Sequence, residues 1–85
     1  MKKVLIYTGD LCVHCDWAKE LLNSKSIEFT EYNVANDAAK REEMFKKSNG
    51  ARTVPQIFIG EHHVGGNVEL QALDKAGKLN TLLDN

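Results

Sequence analysis

The chain has 85 residues, the length of one small domain, so residues 1–85 leave no room for a separate cofactor-binding domain. Its 42% hydrophobic and 27% charged residues are typical of a folded globular protein. A net charge of -1 gives no electrostatic reason to bind nucleic acid, and the apolar runs 4–7 and 57–59 fall short of a membrane span or a signal peptide. We therefore expect a cytoplasmic protein that folds as one unit.

Apolar residues along the chain alternate between strand-like runs and helical spacing. Val13, Trp17 and Leu21 stand four residues apart and predict a helix, and Asn36-Asp37 supplies the N-cap of a second one. The predicted elements are strand 3–7, helix 13–25, strand 27–34, helix 38–47, strand 54–60, strand 62–64, a helix that follows Gly65-Gly66-Asn67 and ends at Gly77, and a terminal turn through Leu79, Leu82 and Leu83.

This order of elements, β-α-β-α-β-β-α, predicts the α/β class. The first β-α-β unit implies a parallel strand pair joined by a right-handed crossover. The closing hairpin implies an antiparallel pair. We therefore expect a four-stranded mixed sheet with helices on both faces.

The only two cysteines, Cys12 and Cys15, stand where the first strand gives way to the first helix. A disulfide between them closes so small a loop that it would constrain the unfolded chain little, which favours chemistry over a structural role. The start of a helix has unpaired N–H groups and a positive dipole, and such placement can lower a thiol pKa from about 8.5 to roughly 3.5–7.5. We expect Cys12 to be the attacking thiol and Cys15, one turn further in and more buried, to be the resolving thiol.

A Cys-x-x-Cys pair is also half of a zinc site, which needs two more ligands. Besides His14, the candidates are His62 and His63, but neighbours in a strand point to opposite faces, so only one of them could ligate. In a β-α-β context the pair favours redox chemistry, and we expect no resident metal.

Three motifs together resemble the glutaredoxin family: the Cys-x-x-Cys pair, Thr53-Val54-Pro55, and Gly65-Gly66 before the last helix. The resemblance is to the short single-domain bacterial form and covers essentially the whole chain. It implies a thioredoxin-like fold and a monomeric thiol–disulfide oxidoreductase that uses glutathione as co-substrate. The implied partners are protein disulfides and glutathionylated proteins, with ribonucleotide reductase among those that the resemblance suggests.

The resemblance also implies a glutathione site built from two segments. The segment matching Thr53-Val54-Pro55 holds a cis proline in the family, and the backbone at Val54 pairs with the cysteinyl part of glutathione. Proline lacks an N–H and keeps the preceding residue extended, which suits an extended ligand. The segment matching Gly66-Asn67-Val68-Glu69 receives the γ-glutamyl end, whose carboxylate the N–H groups of the last helix can bind.

Three binding positions depart from the family pattern. Gly9 stands where a lysine often meets the glycine carboxylate of glutathione, and losing such a partly exposed contact costs on the order of 1 kcal/mol. Val68 stands where a hydroxyl or carboxylate side chain is usual, so only its backbone N–H remains for the ligand. Glu69 replaces the common aspartate and is one methylene longer.

The residues between and beyond the cysteines are expected to modulate the thiols. Val13 and His14 replace the usual Pro-Tyr pair. A protonated His14 would stabilise the Cys12 thiolate and make the disulfide more oxidising. Lys19, one turn beyond Cys15, is a second candidate for holding the thiolate.

Four other side chains carry weaker expectations. Trp17 is expected to be partly exposed as a contact for protein substrates, and Tyr7 to pack in the core. His62 and His63 are expected to lie in the hairpin, far from the chemistry.

Two other functions stay open. Glutaredoxins that lack the proline between the cysteines can hold a [2Fe–2S] cluster between two protomers, ligated by the first cysteine, here Cys12, and by the thiol of glutathione. Val13 and the absence of a lysine at Gly9 are also similar to the pattern of glutaredoxin-like hydrogen donors that thioredoxin reductase reduces. Gly65-Gly66 and the implied γ-glutamyl site argue against that last function.

Overall fold

Four strands and four helices occupy the residues that this computed structural model describes, 1–84. In chain order they are β1 (Val4–Thr8), α1 (Val13–Ser24), β2 (Thr30–Asn33), α2 (Ala38–Lys47), β3 (Gln56–Ile59), β4 (His62–Gly65), α3 (Asn67–Lys75) and α4 (Leu79–Leu83). None of these helices is long and apolar enough to cross a membrane.

The strands form one mixed sheet in the order β2-β1-β3-β4. β1 and β2 run parallel and are joined through α1, with Leu5 opposite Thr30. β3 lies antiparallel to β1 on its other side, and β4 completes the hairpin at the edge. The predicted mixed sheet is confirmed, and it places the carboxyl end of β1 beside the start of β3.

Alternation along β1 divides the core between the two faces of the sheet. Val4 and Ile6 belong to a cluster that includes the buried residues of α1, α3 and α4. Tyr7 belongs to a second cluster with Met44 of α2. Helices therefore cover both faces, with α1, α3 and α4 on one and α2 on the other.

Two strands are shorter than the sequence pattern predicts. β2 begins at Thr30 instead of residue 27, because the Ile27 N–H bonds to Leu22 O as part of the turn that ends α1. Ile27 is nevertheless buried in the core. β3 begins at Gln56, since Pro55 has no N–H for the ladder.

The bounds of the helices follow their local signals closely. α2 spans the predicted 38–47, with Asp37 Oδ1 accepting the Lys40 N–H at 3.0 Å. Past Gly77, which has a φ of 71°, the terminal turn is the short helix α4, and its Leu79 and Leu83 are buried against the core.

Candidate active site

The redox motif lies where β1 passes into α1. Cys12 is the N-cap of the helix, with extended backbone angles, and its Sγ accepts the Cys15 N–H at 3.0 Å. Leu11, just before it, has a φ of 49°, a left-handed conformation that is unusual for leucine and turns the chain sharply into the helix. Cys12 and Cys15 form a disulfide, with their Cα atoms 5.2 Å apart.

The two cysteines differ in access to solvent. Cys15 is 1% exposed and packs inside the first turn of α1, whereas Cys12 is only half-buried. A molecule arriving from solvent therefore meets Cys12 first. This is the order of access that an attacking and a resolving thiol require.

The segment Thr53-Val54-Pro55 lies directly against the motif. Cys12 Sγ is 3.9 Å from the carbonyl oxygen of Val54. The Val54–Pro55 peptide bond is cis, as the family resemblance implies. The backbone before the proline is thus presented beside the accessible sulfur.

A groove of about 490 Å³ runs beside the motif, between this segment and the start of α3. Its lining includes all seven residues that the resemblance assigns to glutathione, Thr53-Val54-Pro55 and Gly66-Asn67-Val68-Glu69, together with His14. These residues come from three separate parts of the chain. The fold therefore brings the two predicted binding segments together as facing walls of one depression.

The wall formed by Thr53-Val54-Pro55 is tied to the sheet through two side chains. Gln56, 6% exposed, donates through Nε2 to Thr53 O at 3.0 Å, and its Oε1 lies 2.6 Å from His63 Nε2. The His63 ring also stacks on Phe58, with centroids 4.8 Å apart. β4 therefore holds the loop that carries Val54.

The opposite wall is tied to the redox motif. Asn67, the first residue of α3, is 7% exposed, and its Nδ2 is 3.1 Å from His14 Nδ1. Gln71, one turn further along α3, donates to Asn67 Oδ1 at 3.0 Å. The His14 ring also packs edge-on against the Trp17 ring, with the ring centroids 5.1 Å apart.

Known proteins share both the sequence pattern and the fold. The family model named Glutaredoxin matches residues 4–64. Glutaredoxin 3 of Escherichia coli (strain K12) is 52% identical over 83 residues, which cover 98% of this chain and 99% of that protein. The chain belongs to the glutaredoxin family.

Solved structures of the family have the same architecture. The solution structure of glutaredoxin from Brucella melitensis is 46% identical, with a TM-score of 0.82 over 98% of this chain and 89% of that one. The dithiolic glutaredoxin 2-C-Grx1 of Trypanosoma brucei brucei is 34% identical, with a TM-score of 0.83 over 98% and 88%. The thioredoxin-like fold is thereby confirmed. Family membership and the cysteine pair make the chain a thiol–disulfide oxidoreductase.

One prediction about the glutaredoxin hairpin is wrong. His63 was expected to lie far from the chemistry, yet it lines the groove and bonds to Gln56. Neither residue belongs to a sequence motif. Strand alternation could have paired them only if the register of β3 and β4, which has a bulge at Ile57/Phe58, were known in advance.

Glu69 has a local partner at the mouth of the groove. Its Oε1 accepts the Gly66 N–H at 2.7 Å, which satisfies an N–H group at the start of α3. Gly65 makes this fit possible, because its φ is 112° and an added Cβ would lie 3.1 Å from Glu69 Cγ. The carboxylate is therefore fixed in place at the γ-glutamyl end of the predicted site.

No lysine or arginine is found among the described residues that line the groove. A Cβ at Gly9 would lie 3.1 Å from Val54 Cγ2, so the missing side chain leaves room for Val54. Arg41 and Arg52 line a different depression, beside α2. The usual cation for a glycine carboxylate thus has no replacement in the groove lining.

Lys19 forms an ion pair with Glu31 on β2. Its Nζ lies 3.0 Å from Glu31 Oε2, which also accepts the hydroxyl of Thr8 at 2.7 Å. Partial burial acts to raise the pKa of Glu31, but the hydrogen bonds from Thr8 and Lys19 together with the Lys19 charge lower it overall. The role of Lys19 at the thiolate stays a prediction.

Exposed apolar side chains surround the motif. Trp17 is 49% exposed, as expected, and Tyr7 is fully buried in the core, also as expected. Apart from Met1, the exposed large apolar residues of the described chain all lie near the motif or at the start of α3: Leu11, Val13, Trp17 and Val68. Among residues 1–84, no group of three or more His, Cys, Asp or Glu side chains is placed to hold a metal ion.

Proposed function

We propose that this glutaredoxin reduces glutathione mixed disulfides and protein disulfides in the cytoplasm, with glutathione as the reductant. The observation that carries the proposal is the groove. Its lining includes both predicted glutathione-binding segments, and Val54 of one segment lies against Cys12, the accessible residue of the redox pair. Thiol–disulfide exchange needs an accessible thiolate and a way to align the incoming disulfide with it; Cys12 can supply the first and the groove the second.

Cys12 is the proposed nucleophile. In the reduced protein its sulfur has the Cys15 N–H and the positive end of α1 to stabilise the anion. An extended peptide can pair with the backbone at Val54, whose carbonyl already lies 3.9 Å from Cys12 Sγ. The N–H groups of Asn67 and Val68 at the start of α3 can donate to the γ-glutamyl carboxylate, and Glu69 can accept from the α-amine.

For a glutathione mixed disulfide, the Cys12 thiolate attacks the glutathionyl sulfur. The Cys12–glutathione disulfide forms as the substrate S–S bond breaks, and the substrate leaves as a thiolate that takes up a proton. A second glutathione thiolate then attacks the glutathionyl sulfur. This step forms oxidised glutathione and restores the Cys12 thiolate, so each mixed disulfide consumes one free glutathione and its S–S bond is exchanged for that of oxidised glutathione.

For a protein disulfide, Cys12 attacks one sulfur of the substrate and releases the other as a thiol. Cys15 then attacks Cys12 Sγ, which releases the second substrate thiol and leaves the Cys12–Cys15 disulfide seen in the structure. Two glutathiones reduce that disulfide. The exposed apolar residues around the motif, above all Trp17, provide a contact surface for a protein substrate.

The deciding experiment is a steady-state assay of a small glutathione mixed disulfide, coupled to glutathione reductase, with glutathione varied. We expect saturable turnover that Cys12→Ser abolishes. Cys15→Ser is the matched control, because it should retain this reaction and lose the reduction of protein disulfides. Equal loss in both variants would refute the assigned roles. If turnover needs thioredoxin reductase and not glutathione, then glutathione is not the reductant.

A further inference from the structure

His14 and Asn67 form a hydrogen bond between residues that are 53 positions apart in the sequence. Asn67 Nδ2 lies 3.1 Å from His14 Nδ1. In the structure Gln71 Nε2 donates to Asn67 Oδ1 at 3.0 Å, which leaves the Nδ2 end of the Asn67 amide for His14. The side-chain NH₂ of Asn67 therefore faces His14.

The direction of this bond determines the state of the imidazole. An amide NH₂ donates and cannot accept, so His14 Nδ1 must accept with its lone pair. The ring proton then sits on Nε2, and the ring is neutral. An imidazolium would turn a second N–H toward the amide NH₂, and the bond would be lost.

We propose that His14 and Asn67 form a bridge that holds the α3 wall of the groove against the redox motif. His14 is then a positioning residue for substrate binding. It is not the cation that stabilises the Cys12 thiolate, which was the role suggested by its place between the cysteines. The kinetic part of this inference rests on the proposed use of glutathione, whereas the state of the ring does not.

The surroundings of the bridge support a positioning role. Asn67 is nearly buried, so without His14 its amide would be left with an unsatisfied donor. Both residues line the groove, and Asn67 begins the helix whose N–H groups face the predicted γ-glutamyl site. A shift of α3 away from α1 would therefore open the groove next to Cys12.

The first test reads the ring directly, without glutathione. Nitrogen-15 NMR of the oxidised protein, at a pH where its histidines are neutral, should show His14 with its proton on Nε2 and a scalar coupling from His14 Nδ1 to the Asn67 amide nitrogen. In Asn67→Asp the carboxylate accepts instead, so the proton should move to Nδ1. His63 is an internal control, because its Nε2–H faces Gln56 in both proteins.

Three outcomes of that test would overturn the bridge. They are a His14 proton on Nδ1 in the unmodified protein, no coupling to Asn67, or the same tautomer in Asn67→Asp. The first two need no variant, so a folding defect in Asn67→Asp leaves the test intact.

The second test separates positioning from charge with two variants of His14. In His14→Leu the bridge is lost, and we expect KM for the glutathione–cysteine mixed disulfide to rise about fivefold, the factor that corresponds to one net hydrogen bond. In His14→Gln the amide oxygen can accept from Asn67, which should restore most of the binding. The rate at which iodoacetamide alkylates Cys12, measured in a Cys15→Ser background, should stay within about twofold in both.

A cationic role for His14 predicts a different pattern. Alkylation at Cys12 would slow equally in His14→Leu and His14→Gln, because both lack the charge, and that result would overturn the proposal. So would an equal rise in KM in both variants. His62→Leu, an exposed histidine outside the groove lining, is the matched control and should change neither reading. If the unmodified protein does not turn over the mixed disulfide, the proposed function fails, and the NMR result still decides the bridge.

Discussion

The buried apolar clusters on the two faces of the sheet differ in size. On the face that packs against α1, α3 and α4, eleven described residues form one buried apolar cluster. On the α2 face the corresponding cluster has four: Tyr7, Val34, Met44 and Phe58. Polar contacts supplement this smaller cluster, since the Tyr7 hydroxyl donates to Glu43 and the Lys40 ammonium lies over the Tyr32 ring.

The two walls of the groove are supported from different faces of the sheet. The cysteines and the groove wall at the start of α3 belong to helices that pack into the larger cluster, which holds the redox motif rigidly. The Val54 wall is tied to the other face, through Gln56 and His63. Each wall is therefore anchored by a histidine, but from opposite faces of the sheet. Loss of packing on one face should disturb the site differently from loss on the other.

The largest loss of stability is expected from a substitution in the larger cluster. Leu22 of α1 is fully buried, and Leu22→Ala should lower the free energy of unfolding by about 3 kcal/mol, since a cavity forms among rigid neighbours. Urea denaturation followed by circular dichroism measures this. A loss of less than about 1 kcal/mol would show that the cluster closes around the gap.

A smaller effect is expected under α2. Met44→Ala should cost about 2 kcal/mol, because the thin cluster around this flexible side chain can partly collapse. The alkylation rate of Cys12 should not change, since the motif rests on the other face. A cost equal to that of Leu22→Ala in the same urea experiment would mean that the two faces contribute equally.

The groove wall formed by Thr53-Val54-Pro55 can be weakened by a substitution that leaves no cavity in the core. His63→Phe keeps a ring stacked on Phe58 but removes the N–H that faces Gln56. We expect KM for a glutathione mixed disulfide to rise up to about fivefold, with an unchanged alkylation rate at Cys12. His63→Gln, which restores a donor, should recover the binding. If His63→Phe and His63→Gln bind alike, Gln56 does not need the donor to hold the loop.

The smallest effect is expected at the polar contact under α2. Tyr7→Phe removes the hydroxyl bound to Glu43 and should cost about 1 kcal/mol or less at neutral pH, because Glu43 is partly exposed. The hydrogen bond from Tyr7, helped by Lys40, lowers the pKa of Glu43 below its usual 4.5. This contribution is therefore present above pH 4.5 and lost as the pH falls through the lowered pKa.

Burial and the Glu43 contact raise the pKa of Tyr7, so its own contribution is present below pH 10.0 and lost as the pH rises further. Urea midpoints for both proteins at neutral, acid and alkaline pH measure these effects. The difference between them should shrink at either extreme. A constant difference would show that Tyr7 stabilises the fold by packing alone.

Much of the fold could be predicted from the chain because the signals are local. The Asn36-Asp37 cap and the helix-forming run after it predict the bounds of α2 to the residue, with Asp37 as the capping residue, and the Cys-x-x-Cys pair lies at the start of α1 as predicted. The bounds of β2 and β3 were less accurate. They depend on which backbone groups find partners in β1, and Ile27 finds its partner in α1 instead.

The sequence by itself determined the element order and the redox pair, since each of these is a short motif or a periodicity set by neighbours in the chain. The residues of the two groove walls were predicted through the resemblance to the glutaredoxin family. Only the tertiary structure decided how the walls are held. Whether His14 meets Asn67 depends on how α1 packs beside α3, and whether His63 meets Gln56 depends on the register of a bulged hairpin. Such contacts join distant residues through the packing of whole elements, and no local pattern along the chain encodes them.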